Sequence, residues 1–147
     1  MSSLVRLFNV MIFVVVASCS TTSSLPRFDA MLLETTGQNG RACVRSNDID
    51  GYGVLKHNLV SIDGGRKYYL ATLLPGCQSM ETSMSALFAG GYGEVCGGGG
   101  DKIVTREDNC HIHHMYEFES REDAFKVYDE LIAKRKEMSK TAEDSKP

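Results

Sequence analysis

Apolar and polar positions alternate with two different periods along this chain, and the places where the period changes divide it into elements. Leu59 to Ile62 and Lys67 to Leu73 are strand-like runs separated by Asp63-Gly64-Gly65-Arg66, whose glycines suit the positive φ angles of a tight hairpin. Val44 to Leu55 adds an irregular strand before them, with Gly51 and Gly53 allowing a bend or bulge. Val95-Cys96, Lys102 to Thr105 and Cys110 to Phe118 read as three further strands. Met80, Met84, Leu87 and Phe88 follow the i, i+4, i+7, i+8 rule and predict a middle helix of two or three turns, broken by Gly90-Gly91-Tyr92-Gly93. Phe28, Met31 and Leu32 predict a short helical turn over 28–34 that docks on the domain. The clearest helix is the last. Ser120 and Asp123 form a capping box, Ala124, Phe125, Tyr128, Leu131 and Ile132 make one apolar stripe, and Lys134, Arg135 and Lys136 suit the negative end of its dipole. The predicted fold is α+β: a small, curved antiparallel sheet or partial barrel with a middle helix and a C-terminal amphipathic helix, stapled by disulfides.

The N-terminal pattern belongs to neither period. Arg6 is followed by an apolar run from Leu7 to Ala17, interrupted only by Asn9, and then by Ser18-Cys19. As a helix, that run covers about half of a hydrocarbon core of roughly 30 Å, so it reads as an export signal and not as a spanning segment. Val16-Ala17-Ser18-Cys19 resembles the lipobox of bacterial lipoproteins. The resemblance implies a signal peptide over 1–18, diacylglyceryl and N-acyl (palmitate) chains on Cys19, and cleavage before it. With Ser20 and not aspartate next, it also implies sorting to the outer membrane of a Gram-negative envelope, on its periplasmic face. Residues 19–40 then form a lipidated cysteine and tether, rich in small polar residues at its start, 41–138 a single domain, and 139–147 a polar, disordered tail.

Charge narrows the partners. The chain carries 16 basic and 19 acidic residues, and cleavage at Cys19 would remove one basic residue, Arg6, and no acid. A mildly acidic chain excludes nucleic acid as an expected partner, leaving the membrane through the lipid anchor and an envelope protein. Setting Cys19 aside leaves Cys43, Cys77, Cys96 and Cys110, an even number in an oxidising compartment, which reads as two structural disulfides. Three pairings are open; Cys43–Cys77 with Cys96–Cys110 is favoured because it staples sequence neighbours without crossing.

The stretch from Arg41 to Phe118 resembles a family of small proteobacterial envelope proteins known only by a domain-of-unknown-function label. The residues that carry the likeness are Cys43-Val44-Arg45, Asp48-Ile49, the turn Asp63-Gly64-Gly65-Arg66 with Lys67-Tyr68-Tyr69, Leu74-Pro75-Gly76-Cys77, Val95-Cys96, Asp101-Lys102-Ile103 and Cys110. The resemblance implies a compartment and a fold and supplies no catalytic residue. The run His111-Ile112-His113-His114 and the C-terminal helix lie outside it.

That run is the segment densest in ligand atoms. On a regular strand, Cys110, Ile112, His114, Tyr116 and Phe118 share the core side, with His114 a buried, hydrogen-bonded histidine. His111, His113, Met115, Glu117 and Glu119 share the other. Two imidazoles at i and i+2 with Glu117 favour zinc; with Met115 they lean towards copper. The plainer reading of that side is a solvated strand face. Gly97-Gly98-Gly99-Gly100 precedes a strand and not a helix, so it is expected to be a mobile loop and not a phosphate cradle. Neither a Gly-x-Ser-x-Gly elbow nor an H-E-x-x-H helix occurs. Asp48 with Asp50, or Glu117 with Glu119, could serve as acid and base but read as ordinary solvated charges; a deep pocket enclosing Asp48, His57 or the histidine strand would favour a hydrolase. The expected role is therefore a non-catalytic, lipid-anchored binding or scaffold module without a cofactor, with periplasmic zinc or copper binding at His111 and His113 as the alternative.

Overall fold

A computed structural model describes residues 25–75 and 77–144. The signal segment and Cys19 lie outside the described residues. Among the described residues eight strands run in chain order: β1 (Cys43–Arg45), β2 (Gly51–Lys56), β3 (Leu59–Asp63), β4 (Tyr68–Leu73), β5 (Leu87–Ala89), β6 (Glu94–Cys96), β7 (Lys102–Val104) and β8 (Asn109–Phe118). Helix α1 (Phe28–Thr36) precedes them and α2 (Arg121–Asp144) follows. Six strands form one antiparallel sheet in the order β2-β3-β4-β8-β7-β5, curled into a half-barrel, while β1 and β6 pair separately. The α+β class and the curved sheet are as the sequence predicts.

Both faces of the sheet are covered, which is why every residue of β4 is buried. Val60, Ile62, Ala71, Leu73, Ile103, Ile112 and Met115 belong to one core with Val44, Val95 and the Cys77–Cys110 bridge. Leu59, Leu70, Tyr116 and Phe118 belong to the other, under Phe28, Met31 and Leu32 of α1 and Ala124 and Leu131 of α2. The β3–β4 hairpin turns where expected, with Gly65 at φ 73° and its N–H on Asp63 Oδ1 at 3.0 Å. Ser120 caps α2, accepting the Asp123 N–H at 3.1 Å while its hydroxyl donates to the Asp123 carboxylate at 2.7 Å.

Five expectations are corrected. The middle helix does not form: Ser79–Glu81 is a single 3-10 turn, Met84 stands in solvent, and Leu87 and Phe88 belong to β5, which pairs with β7. The helical spacing there was coincidental, because Met80 is buried by tertiary packing and not by an apolar helix face. The tether does not extend to 40, since α1 buries Phe28, Met31 and Leu32 in the second core, and the helix at the other end runs on to Asp144, past the boundary set at 138. The disulfides are Cys43–Cys96 and Cys77–Cys110, not the neighbour pairing. Cys43 and Cys96 are cross-strand partners of β1 and β6, with Cα atoms 4.1 Å apart. Cys77 leaves β4 beside the start of β8, because the sheet sets those two strands side by side despite their separation in sequence. Finally, β8 does not have one core side, for a reason that creates the site described next.

Candidate functional site

Strand β8 is bulged where it runs along β4. Thr72 pairs with His114 and Leu73 with Ile112, so His113 is the extra residue. A bulge sets two residues against one and re-aims the side chains that follow. Cys110 and Ile112 therefore pack in the first core, and Met115 joins them, whereas Tyr116 and Phe118 pack in the second. His113 and His114, adjacent in sequence, end with ring centroids 3.9 Å apart.

Three backbone segments hold the bulge. Gly98 and Gly99 donate their N–H groups to the carbonyls of His113 (2.9 Å) and Ile112 (2.8 Å). Their φ angles of 127° and 88° are ones that glycine adopts without strain. The glycine run is thus the bulge's hydrogen-bonding partner, and those two donors are committed to protein carbonyls and not to a phosphate. On the same edge, beyond the short β7, residues 38–42 run beside β8. Gln38 pairs its side-chain amide with the backbone of Glu117 (2.7 and 2.9 Å), Met115 N–H donates to Gly40 O at 2.9 Å, and Ala42 N–H to Met115 O at 3.1 Å. This covered edge sets α1 over the two histidines.

From α1 comes Asp29, buried with its side chain 12% exposed. Its Oδ1 accepts the Ala30 N–H at 2.9 Å, and its Oδ2 lies 3.1 Å from Arg27 and 3.1 Å from His113 Nδ1. The His113 approach is an ion-pair distance and not an aligned hydrogen bond: Nδ1 of His113 and Nδ1 of His114 are both buried without a hydrogen-bond partner. Tyr116 locks the arrangement by donating its hydroxyl to the Asp29 carbonyl at 3.0 Å, and burial raises its pKa, so it stays a neutral donor. Burial pulls His114 below the usual imidazole range, with the neighbouring His113 ring adding to the effect and Asp29 opposing it. Asp29, His113 and His114 each offer one ligand atom, and these lie within 4.8 Å of one another.

The metal set expected from sequence is rearranged accordingly. His111 is exposed and opposite Lys102 of β7, away from the other imidazoles. Glu117 is engaged with Lys67 at 3.6 Å, beside Tyr69. Lys67 also pairs with Glu119, and those contacts raise the lysine's pKa. Met115 is fully buried in the core on the other face, so its thioether is no part of the cluster. His114, expected as a hydrogen-bonded core residue, stands beside His113 in the cluster. Asp29 was missed altogether. Its one signal in sequence is its place three residues before Leu32, which sets a carboxylate on the buried stripe of α1.

A family model described as a family of unknown function, DUF6491, matches residues 2–135. The chain belongs to the DUF6491 family. No curated protein and no solved structure matches it. The match is wider than the stretch from Arg41 to Phe118 on which the sequence resemblance rests. In this DUF6491 chain it takes in the apolar N-terminal run, Asp29, the histidine bulge and α2 as far as Arg135. Every part of the cluster therefore lies inside the matched span.

The remaining candidates do not converge. His57 lies 3.8 Å from Glu81, both half exposed, and lines a groove of about 400 Å³ with Arg27, Lys56 and Arg135. Asp50 lies beside the Gly65 turn, and Asp48 ends a 3-10 turn on the same side. Neither is brought to the histidines.

Proposed function

We propose that this DUF6491 protein is a non-catalytic, lipid-anchored binding module of the Gram-negative envelope, tethered through acylated Cys19 on the periplasmic face of the outer membrane. The observation that carries the reading is the fate of the cysteines. With Cys19 set aside, the other four are consumed in two disulfides, which persist in oxidising compartments and not in a reducing cytosol. The lipobox-like Val16-Ala17-Ser18-Cys19 supplies the route out of the cell and the attachment point. Three acyl chains on one cysteine make the attachment lasting, where a single chain is only reversible.

The first described residues add support. Leu25, shortly after Cys19, lines grooves shared with Arg27, Lys56, Arg135 and Lys136. Net charge alone concealed this basic face. It lies where the tether leaves the domain and would favour an anionic headgroup surface by on the order of 1 kcal/mol per cation close to it.

Exchanging residues 1–19 for a cleavable export signal that lacks the cysteine is the direct test, since Cys19→Ala alone would also block cleavage and leave the apolar run attached. The protein should shift from the membrane to the soluble periplasmic fraction and lose palmitate labelling. Retention in washed membranes would sink the anchoring.

A further inference from the structure

We propose that Asp29, His113 and His114 form a binding site for a divalent cation of the zinc type, which names the ligand class of the binding module proposed above. The donor set is one carboxylate oxygen and two imidazole nitrogens, which are zinc's ordinary ligands. The buried Met115 removes the soft thioether that would turn the set towards copper(I).

The geometry fits a cation placed among the three side chains. A tetrahedral zinc with bonds of about 2.0–2.1 Å holds its ligand atoms about 3.3 Å apart. Asp29 Oδ2 and His113 Nδ1 are 3.1 Å apart, and all three ligand atoms fall within 4.8 Å of one another, so closing the set needs only small side-chain movement. The second, independent observation is the His114 ring, whose Nδ1 is buried with no partner, whereas His113 Nδ1 has the Asp29 carboxylate at 3.1 Å without an aligned hydrogen bond. Buried polar atoms are nearly always hydrogen-bonded, so an unbonded ring nitrogen beside a carboxylate and a second imidazole calls for a partner, which a metal ion would supply.

The scaffold is pre-organised in the way such sites require. The bulge fixes both rings, the Ala30 N–H holds Asp29 Oδ1, and Tyr116 anchors the Asp29 backbone. His113, with 31% of its side chain exposed, gives the ion a way in. Three protein ligands leave a fourth position for water or for a group on another molecule. Arg27, 56% exposed and 3.1 Å from Asp29 Oδ2, is the cation that the metal would displace into solvent.

Zinc titration of the full exported chain by calorimetry, after chelation and dialysis, tests the site. The expected result is one zinc per chain and a zinc-dependent rise in melting temperature, with no such rise in magnesium or calcium. Asp29→Asn should weaken binding at least as much as loss of an outer-shell partner does, about 10–100-fold, and His113→Ala/His114→Ala should abolish it. Both variants need native circular dichroism. His111→Ala and Glu117→Gln should bind as the parent does, which separates this site from the strand-face set expected from sequence. Arg27→Gln should tighten binding by up to about fivefold, the worth of one exposed ion pair. Zinc uptake that is absent in the parent, or that survives both Asp29→Asn and the double histidine variant, overturns the proposal. So does loss of stability in Asp29→Asn with no zinc response in the parent, which would mark a structural ion pair only. The titration is done in solution and does not depend on the anchor, so its failure leaves the Cys19 reading untouched, and the reverse holds as well.

Discussion

Removing either disulfide should cost on the order of 4 kcal/mol, and removing both should leave the domain unfolded at physiological temperature. Loop-closure entropy gives this size for bridges spanning 53 and 33 residues. A domain of this length has about 5–15 kcal/mol in total. The two losses should differ in kind. Cys43–Cys96 ties together β1 and β6, three residues each and outside the main sheet, so Cys43→Ala/Cys96→Ala should release that pair first. Cys77–Cys110 is buried in the first core, so Cys77→Ala/Cys110→Ala also removes packing around Met80 and Ile112. At Cys77 and Cys110 alanine is the right replacement, because serine would place a hydroxyl in an apolar core. Urea denaturation checks the magnitudes, and peptide mapping under non-reducing conditions checks the pairing. Unchanged midpoints in both double variants, or a Cys43–Cys77 peptide, would sink this account.

The sequence made the strands legible because their signal is local. Leu59 to Ile62, the Gly-Gly-Arg turn and Lys67 to Leu73 carry period, turn chemistry and β-branched or aromatic residues within a few positions, and they fold as read. The capping box at Ser120 is equally local. What failed was non-local. Which cysteine meets which depends on β8 lying beside β4 and β6 beside β1, neighbours that no short window contains. The false middle helix arose because Met80, Met84, Leu87 and Phe88 imitate a helical face while β7 stands ready to pair with Leu87–Ala89; tertiary pairing overrode spacing. The bulge at His113 had the largest consequence for the site. One extra residue reverses the phase of everything after it, so a strict period of two moved Met115 out of the core and set His114 apart from His113. The chemistry was visible as a dense run of histidines. Its third member, Asp29, was not: Phe28, Met31 and Leu32 predict the helix that carries it, but nothing local brings that carboxylate to histidines so far along the chain.

Gly97→Ala should destabilise the fold by about 3 kcal/mol or more, a surprising cost for one methyl group near a surface loop. The cause is crowding and not backbone angle. A Cβ at position 97 would sit 2.1 Å from Gly40 O and 2.4 Å from Met115 N. Those two atoms are the acceptor and donor of the 2.9 Å hydrogen bond that lays residues 38–42 against β8. The added carbon would lie across that bond, between backbones that cannot swing aside as a flexible side chain would, so the penalty belongs at the upper end for overpacking. Gly40 adds to the sensitivity, because its own α-hydrogen faces the His114 ring, where a Cβ would come within 2.6 Å. Gly100→Ala is the matched control: it lies in the same glycine run, a Cβ there meets nothing within 4 Å, and its stability should stay within about 0.5 kcal/mol of the parent. Displacing 38–42 also displaces α1, and with it Asp29, from the histidines. Gly97→Ala protein that remains folded at low temperature should therefore bind zinc less tightly than Gly100→Ala, although neither glycine supplies a ligand. Equal melting temperatures for the two variants would show that the packing of 38–42 against the bulge does not hold the site together.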